Sequence, residues 1–293
     1  MRILPISDLH LERRKLNELP PLNSPFDVLV CAGDIWQSEP EKSVQSIVEL
    51  ASGKPAILVP GNHDYYRAGF QDERMMTDFE RLLIEEARRQ NARSRGIDLV
   101  TVLTSDNPNC EISGVKFVGL TLWTDWALAG RWEPESTAPG HCDEMYAAAS
   151  RRQAGHWRNG VREYGVIRLG VDRAWSPYDV VAEHARQKAI LFDELSTFDP
   201  DDKTPIVVVT HHCPLPHGAD VYREQGPWWT PAFYCSDLLL KMPEVLRPHA
   251  WIFGHVHAPF DEQHGRTRAV CNPVEGGCFK PTLIIEVPED GDQ

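Results

Sequence analysis

Short, continuous apolar runs recur along the chain, and this pattern limits the fold more than any other feature of the sequence. The runs are rich in Val, Ile and Leu, and most are bounded by Gly, Pro, Asp or Asn, as is typical of β-strands. Because the runs do not alternate with polar residues, we expect both faces of these strands to be covered. The predicted strands are Ile3–Ile6, Val28–Cys31, Ala56–Val59, Leu99–Leu103, Lys116–Leu120, Ile206–Val209, Ala250–Phe253, Arg268–Val270 and Thr282–Val287.

Helical spacing of apolar residues lies between several of these strands. One helical face is shared by residues within 44–51, another lies inside the charged stretch 71–90, and a third spans 180–191. His184 falls on the third face and is predicted to be a core residue. Strands that alternate with helices indicate an α/β domain. We predict a single domain over residues 1–293.

Composition narrows the class of protein. The formal net charge is −13, which disfavours nonspecific binding to nucleic acid. The seven cysteines include no CxxC pair, so neither a disulfide framework nor a cysteine zinc site is expected, and the cytoplasm is the predicted location. The sequence has no run of 18 apolar residues, so no membrane segment is expected.

Five polar motifs each follow directly after a predicted strand. Ligands of α/β proteins bind beyond the carboxyl ends of the strands, so these motifs are expected to meet in one crevice. Asp, Asn and His supply oxygen and nitrogen donors that suit Mn, Fe, Zn, Ni or Co, and their number suits two ions rather than one. The motifs are Asp8-Leu9-His10, Gly33-Asp34, Gly61-Asn62-His63-Asp64, Thr210-His211-His212 and Gly254-His255-Val256-His257.

The order of these motifs resembles the calcineurin-like metallophosphoesterases. The resemblance covers nearly the whole chain, through Gly119–Asp125 to Cys271-Asn272-Pro273 and Phe279-Lys280-Pro281. It implies a four-layer αββα sandwich, in which two mixed sheets are flanked by helices. The segment Val274–Cys278 departs from the turn that is usual in the family.

The resemblance also implies roles for the motif residues. Asp34 would bridge two ions, and His63 would face the substrate phosphate while Asp64 orients its ring. The first ion would be held by Asp8, His10 and His257, and the second by Asn62, His211 and His255. His211 is the ligand that matches the family, and its neighbour His212 is expected to lie behind it.

The implied activity is hydrolysis of a phosphomonoester or phosphodiester, with a small molecule as the expected substrate. Two divalent or trivalent metal ions would clamp the phosphoryl group. Mn or Fe is expected, and Zn, Ni or Co would also be compatible. A hydroxide that bridges the ions would attack phosphorus, and a protonated His63 would stabilise the transition state or the leaving oxygen.

Two other classes of function share this motif set. A non-catalytic metal-binding scaffold would lack a ligand or the residue at the His63 position, and neither is missing here. A nuclease acting on single strands would need a basic, aromatic-lined track, which the net charge disfavours. Metal analysis with a phosphatase assay, and salt-sensitive binding to single strands, would separate the three.

The segment from about 125 to 177 lacks a clear period and is predicted to be an insertion or lid. The sequence is compatible with two interpretations of this segment. In the first it is an ordinary lid with a solvated basic helix. In the second it binds anions and stacks on an aromatic leaving group. His217, in a Pro-rich loop, is either an exposed loop residue or a border of the metal site. The residues that carry the second reading of the segment are Trp126, Trp132, Arg151, Arg152, His156, Trp157, Arg158, Arg162 and Trp175.

Overall fold

The computed structural model describes residues 1–22, 24–94, 98–132, 143–156, 160–197, 204–223 and 225–288. Its strands are β1 Arg2–Ile6, β2 Val28–Cys31, β3 Ala56–Leu58, β4 Val100–Val102, β5 Asn109–Ile112, β6 Val115–Leu120, β7 Arg168–Gly170, β8 Arg173–Ala174, β9 Ile206–Thr210, β10 Ala250–Phe253, β11 Phe260–His264, β12 Thr267–Cys271 and β13 Ile285–Glu286. Its α-helices are α1 Pro40–Ala51, α2 Met76–Arg93, α3 Asp143–Ala154, α4 Glu163–Val166, α5 Pro177–Ser196, α6 Thr230–Tyr234 and α7 Leu238–Lys241.

Two large sheets form the centre of the fold. One has the strand order β13-β1-β2-β3-β4, and the other has the order β11-β12-β10-β9-β6-β5. Neighbouring strands within β1–β4 pair in parallel, as do those of β6, β9, β10 and β12. Antiparallel strands β13, β5 and β11 lie at the edges, so both sheets are mixed. A separate antiparallel pair is formed by β7 and β8.

Side chains of each central strand alternate between two buried layers. In β10, Ala250 and Ile252 lie in the core between the sheets, whereas Trp251 and Phe253 lie in the core beneath α5. In β2, Val28 and Val30 likewise lie between the sheets, and the alternate residues pack towards α1 and α2. A strand with two buried faces requires a continuous apolar run, and each buried aliphatic side chain contributes about 1.5–3 kcal/mol. The predicted four-layer αββα arrangement is confirmed.

The strands that sequence patterning missed lie at sheet edges or outside the large sheets. The strand β11 reads Phe-Asp-Glu-Gln-His and pairs only with β12, and most of its residues are exposed. The strand β5 is similarly polar and only half-buried. Edge strands with an exposed face need no apolar run, and polar side chains there discourage pairing between molecules. Their sequences therefore carry little strand signal.

The segment 125–177 contributes to the core. Trp126 is buried and contacts Trp229 and Phe233, and Trp175 is buried against Trp123. These two tryptophans are therefore packing residues, and neither offers a free ring face to a substrate. Trp157, Arg158 and the side chain of Trp132 lie outside the described residues. That the segment is an insertion stays a prediction.

The described cysteines form no disulfide bond with one another. Four of them, Cys31, Cys213, Cys235 and Cys271, are buried as expected of small apolar side chains, whereas Cys278 is exposed. Among the helices of the described segments, none combines the length and the apolar character needed to cross a lipid bilayer.

Candidate metal centre

Five parallel strands end at one place, and each ends in one of the polar motifs. Asp8 follows β1, Asp34 follows β2, Asn62 follows β3, His211 follows β9 and His255 follows β10. The first three strands belong to one sheet and the last two to the other, so the site lies where the two sheets meet. This is the crevice that the strand-end placement predicts.

Unusual backbone conformations set the direction of these side chains. Asp8, His10, Asp34, His255 and His257 all have positive φ angles, between 46° and 67°. A non-glycine residue in the left-handed region costs of order 1–3 kcal/mol, and such residues cluster at functional sites. Five in one site show that the fold holds the polar side chains in place at a cost to stability.

Glycines let the strand ends approach closely. Gly33 has a φ of +88°, a conformation that favours glycine. Gly254 has an ordinary φ, but a Cβ there would lie 2.8 Å from the Ala32 carbonyl oxygen and 2.9 Å from the Cβ of Ser7. The sequence predicts that the glycines at 33, 61 and 254 allow tight turns. The structure shows a turn at Gly33 and close packing at Gly254.

One group of converging donors contains Asp8, His10, Asp34 and His257. The Nε2 atom of His257 lies 3.3 Å from Asp8 Oδ1 and 3.4 Å from His10 Nε2. His10 Nε2 is in turn 3.6 Å from Asp34 Oδ2. All four donor atoms lie within 4.8 Å of one another.

A second group shares Asp34 with the first. It contains Asp34, His211 and His255, with donor atoms again within 4.8 Å of one another. His211 Nε2 lies 3.4 Å from Asp34 Oδ1 and 3.0 Å from Asn62 Oδ1. Asp34 thus directs one carboxylate oxygen towards each group. The structure brings together all seven side chains that the sequence predicts as ligands.

The donor atoms of these residues are better arranged to coordinate metal ions than to form hydrogen bonds with one another. Asp34 Oδ2 and His255 Nε2 are buried and form no hydrogen bond within the described part of the chain. The Nε2 atoms of His10 and His257 face each other at 3.4 Å. Burying polar groups without partners is costly, and a cation between them would satisfy several at once.

Hydrogen bonds behind the donors fix their orientation. His211 Nδ1 donates to the Ala32 carbonyl oxygen at 2.7 Å, so Nε2 is the nitrogen that faces Asp34 and Asn62 and would ligate an ion. Asp8 Oδ1 accepts from the backbone nitrogen of His255, and Asp8 Oδ2 accepts from Ser7 Oγ. The ring of His212 lies 4.2 Å from that of His255, buried behind the site as expected.

Glu163 is a buried carboxylate that the sequence analysis missed. Asn62 Nδ2 donates to Glu163 Oε2 at 3.2 Å and to the Tyr66 hydroxyl at 3.3 Å. These bonds turn the amide so that Asn62 Oδ1 points towards His211. Burial raises the pKa of Glu163 to about 8. Nothing in the local sequence Arg-Glu-Tyr-Gly indicates this contact, which joins residues 101 positions apart.

Two further carboxylates surround His10. Glu12 Oε1 lies 3.1 Å from His10 Nδ1, and Glu275 Oε2 lies 3.0 Å from His10 Nε2. Burial acts to lower the pKa of His10, but the hydrogen bonds to Glu12 and Glu275 outweigh it and raise the pKa to about 10. Glu275, in the segment Val274–Cys278, therefore places a further negative charge beside the first group.

The structure places His63 and Asp64 differently from the expected pair. Asp64 accepts hydrogen bonds from the backbone nitrogens of Gly61, Asp34, Ile35 and Trp36, and not from the His63 ring. A carboxylate that is buried beside several backbone N–H groups accepts hydrogen bonds from them in preference to a side chain, because these N–H groups have no other acceptor. Asp64 therefore fixes the loops after β2 and β3.

The His63 ring lies over the edge of the first group. It stacks on Tyr66 with 4.3 Å between ring centroids, and it contacts His10 edge-on at 4.8 Å. Its backbone nitrogen donates to Asp34 Oδ1. Burial lowers the pKa of His63 to about 4, so the ring is neutral at neutral pH in the absence of a bound anion.

Two arginines of the suggested anion-binding face lie in different surroundings, and Arg158 lies outside the described residues. Arg151 pairs with Glu144 and lies over the ring of Tyr178. Arg162 instead lies 5.7 Å from the ring centre of Tyr66, on which His63 stacks. Arg162 therefore lies next to the site through its contact with Tyr66. His217 contacts Glu262 and His264 and is not part of either donor group.

Comparisons with known proteins agree with this architecture. A family model for calcineurin-like phosphoesterases matches residues 1–259. A solved phosphopantetheinyl hydrolase from Mycobacterium tuberculosis shares 18% sequence identity with a TM-score of 0.64, over 93% of this chain and 88% of that one. A Staphylococcus aureus protein provisionally named a 5′-nucleotidase matches at 14% identity and a TM-score of 0.39, over 92% of this chain and 48% of that one, too weakly to inform the fold. Comparison with curated proteins by sequence finds no match.

Proposed function

The chain belongs to the calcineurin-like phosphoesterase family and is a metal-dependent phosphoesterase, and we propose that it hydrolyses its substrate with a pair of metal ions bridged by Asp34. One observation carries this proposal. The two oxygens of the Asp34 carboxylate point into two separate groups of donors, at 3.6 Å from His10 and 3.4 Å from His211.

Residues of the two groups would divide the ions between them. Asp8, His10 and His257 would hold the first ion, and Asn62, His211 and His255 would hold the second. The set contains oxygen and nitrogen donors without sulfur, which suits Mn or Fe and is compatible with Zn, Ni or Co. When bound, such ions would supply a water molecule of lowered pKa and neutralise negative charge on the phosphate.

His63 would act on the phosphate rather than on the ions. The stack on Tyr66 holds its ring, and the bond from its backbone nitrogen to Asp34 ties it to the bridging carboxylate. The neutral ring would donate a hydrogen bond to a phosphate oxygen. A bound phosphate would raise its pKa from about 4, because a nearby negative charge favours the protonated form. The protonated ring would then donate its proton to the leaving oxygen.

A small phosphate ester is the proposed substrate. The net charge of −13 repels a polyanion such as nucleic acid. Arg162, beside Tyr66, would attract a single phosphate or an anionic substituent near His63. Monoester and diester substrates both remain within this proposal.

The test compares substrates and metals in one panel. Purified protein loaded with Mn, Fe, Ni or Zn would be assayed on an aryl monoester, an aryl diester, a cyclic nucleotide, a dinucleotide and a phosphopantetheinyl ester. We expect turnover of at least one ester, with about two ions bound per chain in the candidate centre. The variant Asp34→Ala should lose both ions and activity together.

His63→Ala is the matched variant. It should keep both ions and lose about 10²–10⁴-fold in turnover, because it removes only the donor to the phosphate. Full activity of His63→Ala would show that this role is wrong. Bound metal without turnover on any ester would indicate a metal-binding scaffold instead.

A further inference from the structure

A second cluster of metal-compatible side chains lies at the edge of the six-stranded sheet. Glu262 Oε2 lies 3.1 Å from His217 Nε2 and 3.4 Å from His264 Nε2. The three donor atoms lie within 4.8 Å of one another. None of these residues belongs to the candidate metal centre.

Secondary structure brings the three side chains together. Glu262 and His264 are two residues apart on β11, so they lie on the same face of this edge strand. His217 comes from the 3₁₀-helix Pro216–Tyr222. Phe260, on the same face of β11, contacts both imidazoles and is packed on Phe253 of the core.

This packing limits the motion of both rings. The ring of His264 is nearly parallel to that of Phe260, with an interplanar angle of 11°. The side chain of His264 is only 16% exposed, and its Nε2 atom is buried without a hydrogen bond in the described part of the chain. An aligned, unpartnered nitrogen beside a carboxylate is a ready ligand position.

We propose that His217, Glu262 and His264 form a further cation site, for Zn²⁺ or a divalent ion of similar preference. Zinc binds imidazole nitrogen and carboxylate oxygen at about 2.0–2.2 Å, so donors of a tetrahedral site lie roughly 3.3–3.5 Å apart. The observed separations from Glu262 Oε2, 3.1 and 3.4 Å, are close to this spacing. Since Glu262 and His217 are partly exposed, water would complete the coordination.

An ion here would join two segments that border the candidate metal centre. The strand β11 follows the loop that carries His255 and His257. Tyr222, on the same 3₁₀-helix as His217, donates to the Val256 carbonyl oxygen at 2.8 Å. The site would therefore stabilise this wall of the fold without contacting substrate.

Zinc stoichiometry of the full chain tests the proposal. Metal-free protein would be titrated with Zn²⁺, and bound zinc and the melting temperature would be measured for the unmodified chain, His264→Ala and His217→Ala. We expect each variant to bind one zinc ion fewer and to show a smaller zinc-dependent rise in melting temperature. Aryl phosphate turnover with Mn should stay within about twofold, since neither residue belongs to the candidate centre.

Gln263→Ala is the control on the same strand, because Gln263 lies on the opposite face and bonds only locally to Gly265. It should bind as much zinc as the unmodified chain. Should an alanine variant fail to fold, Glu262→Gln keeps the side-chain shape and should weaken the extra zinc site by about tenfold or more. Unchanged zinc binding in Glu262→Gln and in the folded histidine variants would overturn the proposal.

Discussion

Gly61 allows the ends of β2 and β3 to approach, and replacing it with alanine should disturb the candidate centre directly. A Cβ at position 61 would lie 2.5 Å from the backbone nitrogen of Asp34 and 2.7 Å from His211 Cε1, and it would overlap Asp34 Oδ1. These atoms belong to a backbone and to two proposed ligands, so no flexible surface group can move aside. The substitution must displace Asp34, His211 or both.

The size of the effect follows from the displacement. Ordinary contact begins at 3.4 Å, so moving the Asp34 nitrogen from 2.5 Å to that distance requires a shift of about 0.9 Å. A misplacement of about 1 Å costs on the order of 100-fold in rate, and overpacking typically costs about 1–3 kcal/mol of stability. We expect Gly61→Ala to fold with reduced stability and to lose about 100-fold in kcat/KM.

The assay is hydrolysis of an aryl phosphate ester with Mn, together with metal content and thermal unfolding. Gly69→Ala is the matched control. Gly69 also follows β3 in the sequence, and no atom lies within 4 Å of the Cβ that the substitution would add. The control should stay within about 0.5 kcal/mol of the unmodified protein. A full metal complement in Gly61→Ala, together with a kcat/KM within about threefold of the unmodified protein, would contradict this prediction.

Three further substitutions test the orientation of Asn62, the burial of Glu80 and the packing between the sheets. Glu163→Ala should weaken metal binding by about 10–100-fold in equilibrium dialysis, because Asn62 loses a partner that orients its amide, whereas Glu163→Gln should lose less. Glu80, whose pKa burial raises from 4.5 to about 7, holds a proton in the folded state that the unfolded chain releases, so stability should fall as pH rises from 4.5 to 7. Glu80→Gln should remove that decline, worth on the order of 3 kcal/mol, and equal pH slopes for the variant and the unmodified protein in urea unfolding would contradict this. Ile57→Ala, between the sheets, should cost about 2–5 kcal/mol by the same method, and a loss below about 1 kcal/mol would argue against that packing.

Much of the central fold could be read from the sequence because the signals are local. Strands such as Val28–Cys31 and Ala250–Phe253 are buried on both faces, and only an unbroken apolar run can satisfy that environment. The edge strand Phe260–His264 gave no such signal, because half of its surroundings is solvent. Its identity as a strand depends on pairing with Thr267–Cys271.

The same division holds for the site. Local patterning was enough to predict which residues end the strands, and therefore that Asp8, Asp34 and His255 would meet, because parallel strands carry their ends to a common edge. By contrast, the contact by which Glu163 orients Asn62, and the binding of Asp64 to backbone amides in place of the His63 ring, depend on how the folded chain packs. Such hydrogen bonds join positions distant along the chain, and their partners are chosen by which buried donors lie within reach after the sheets have packed.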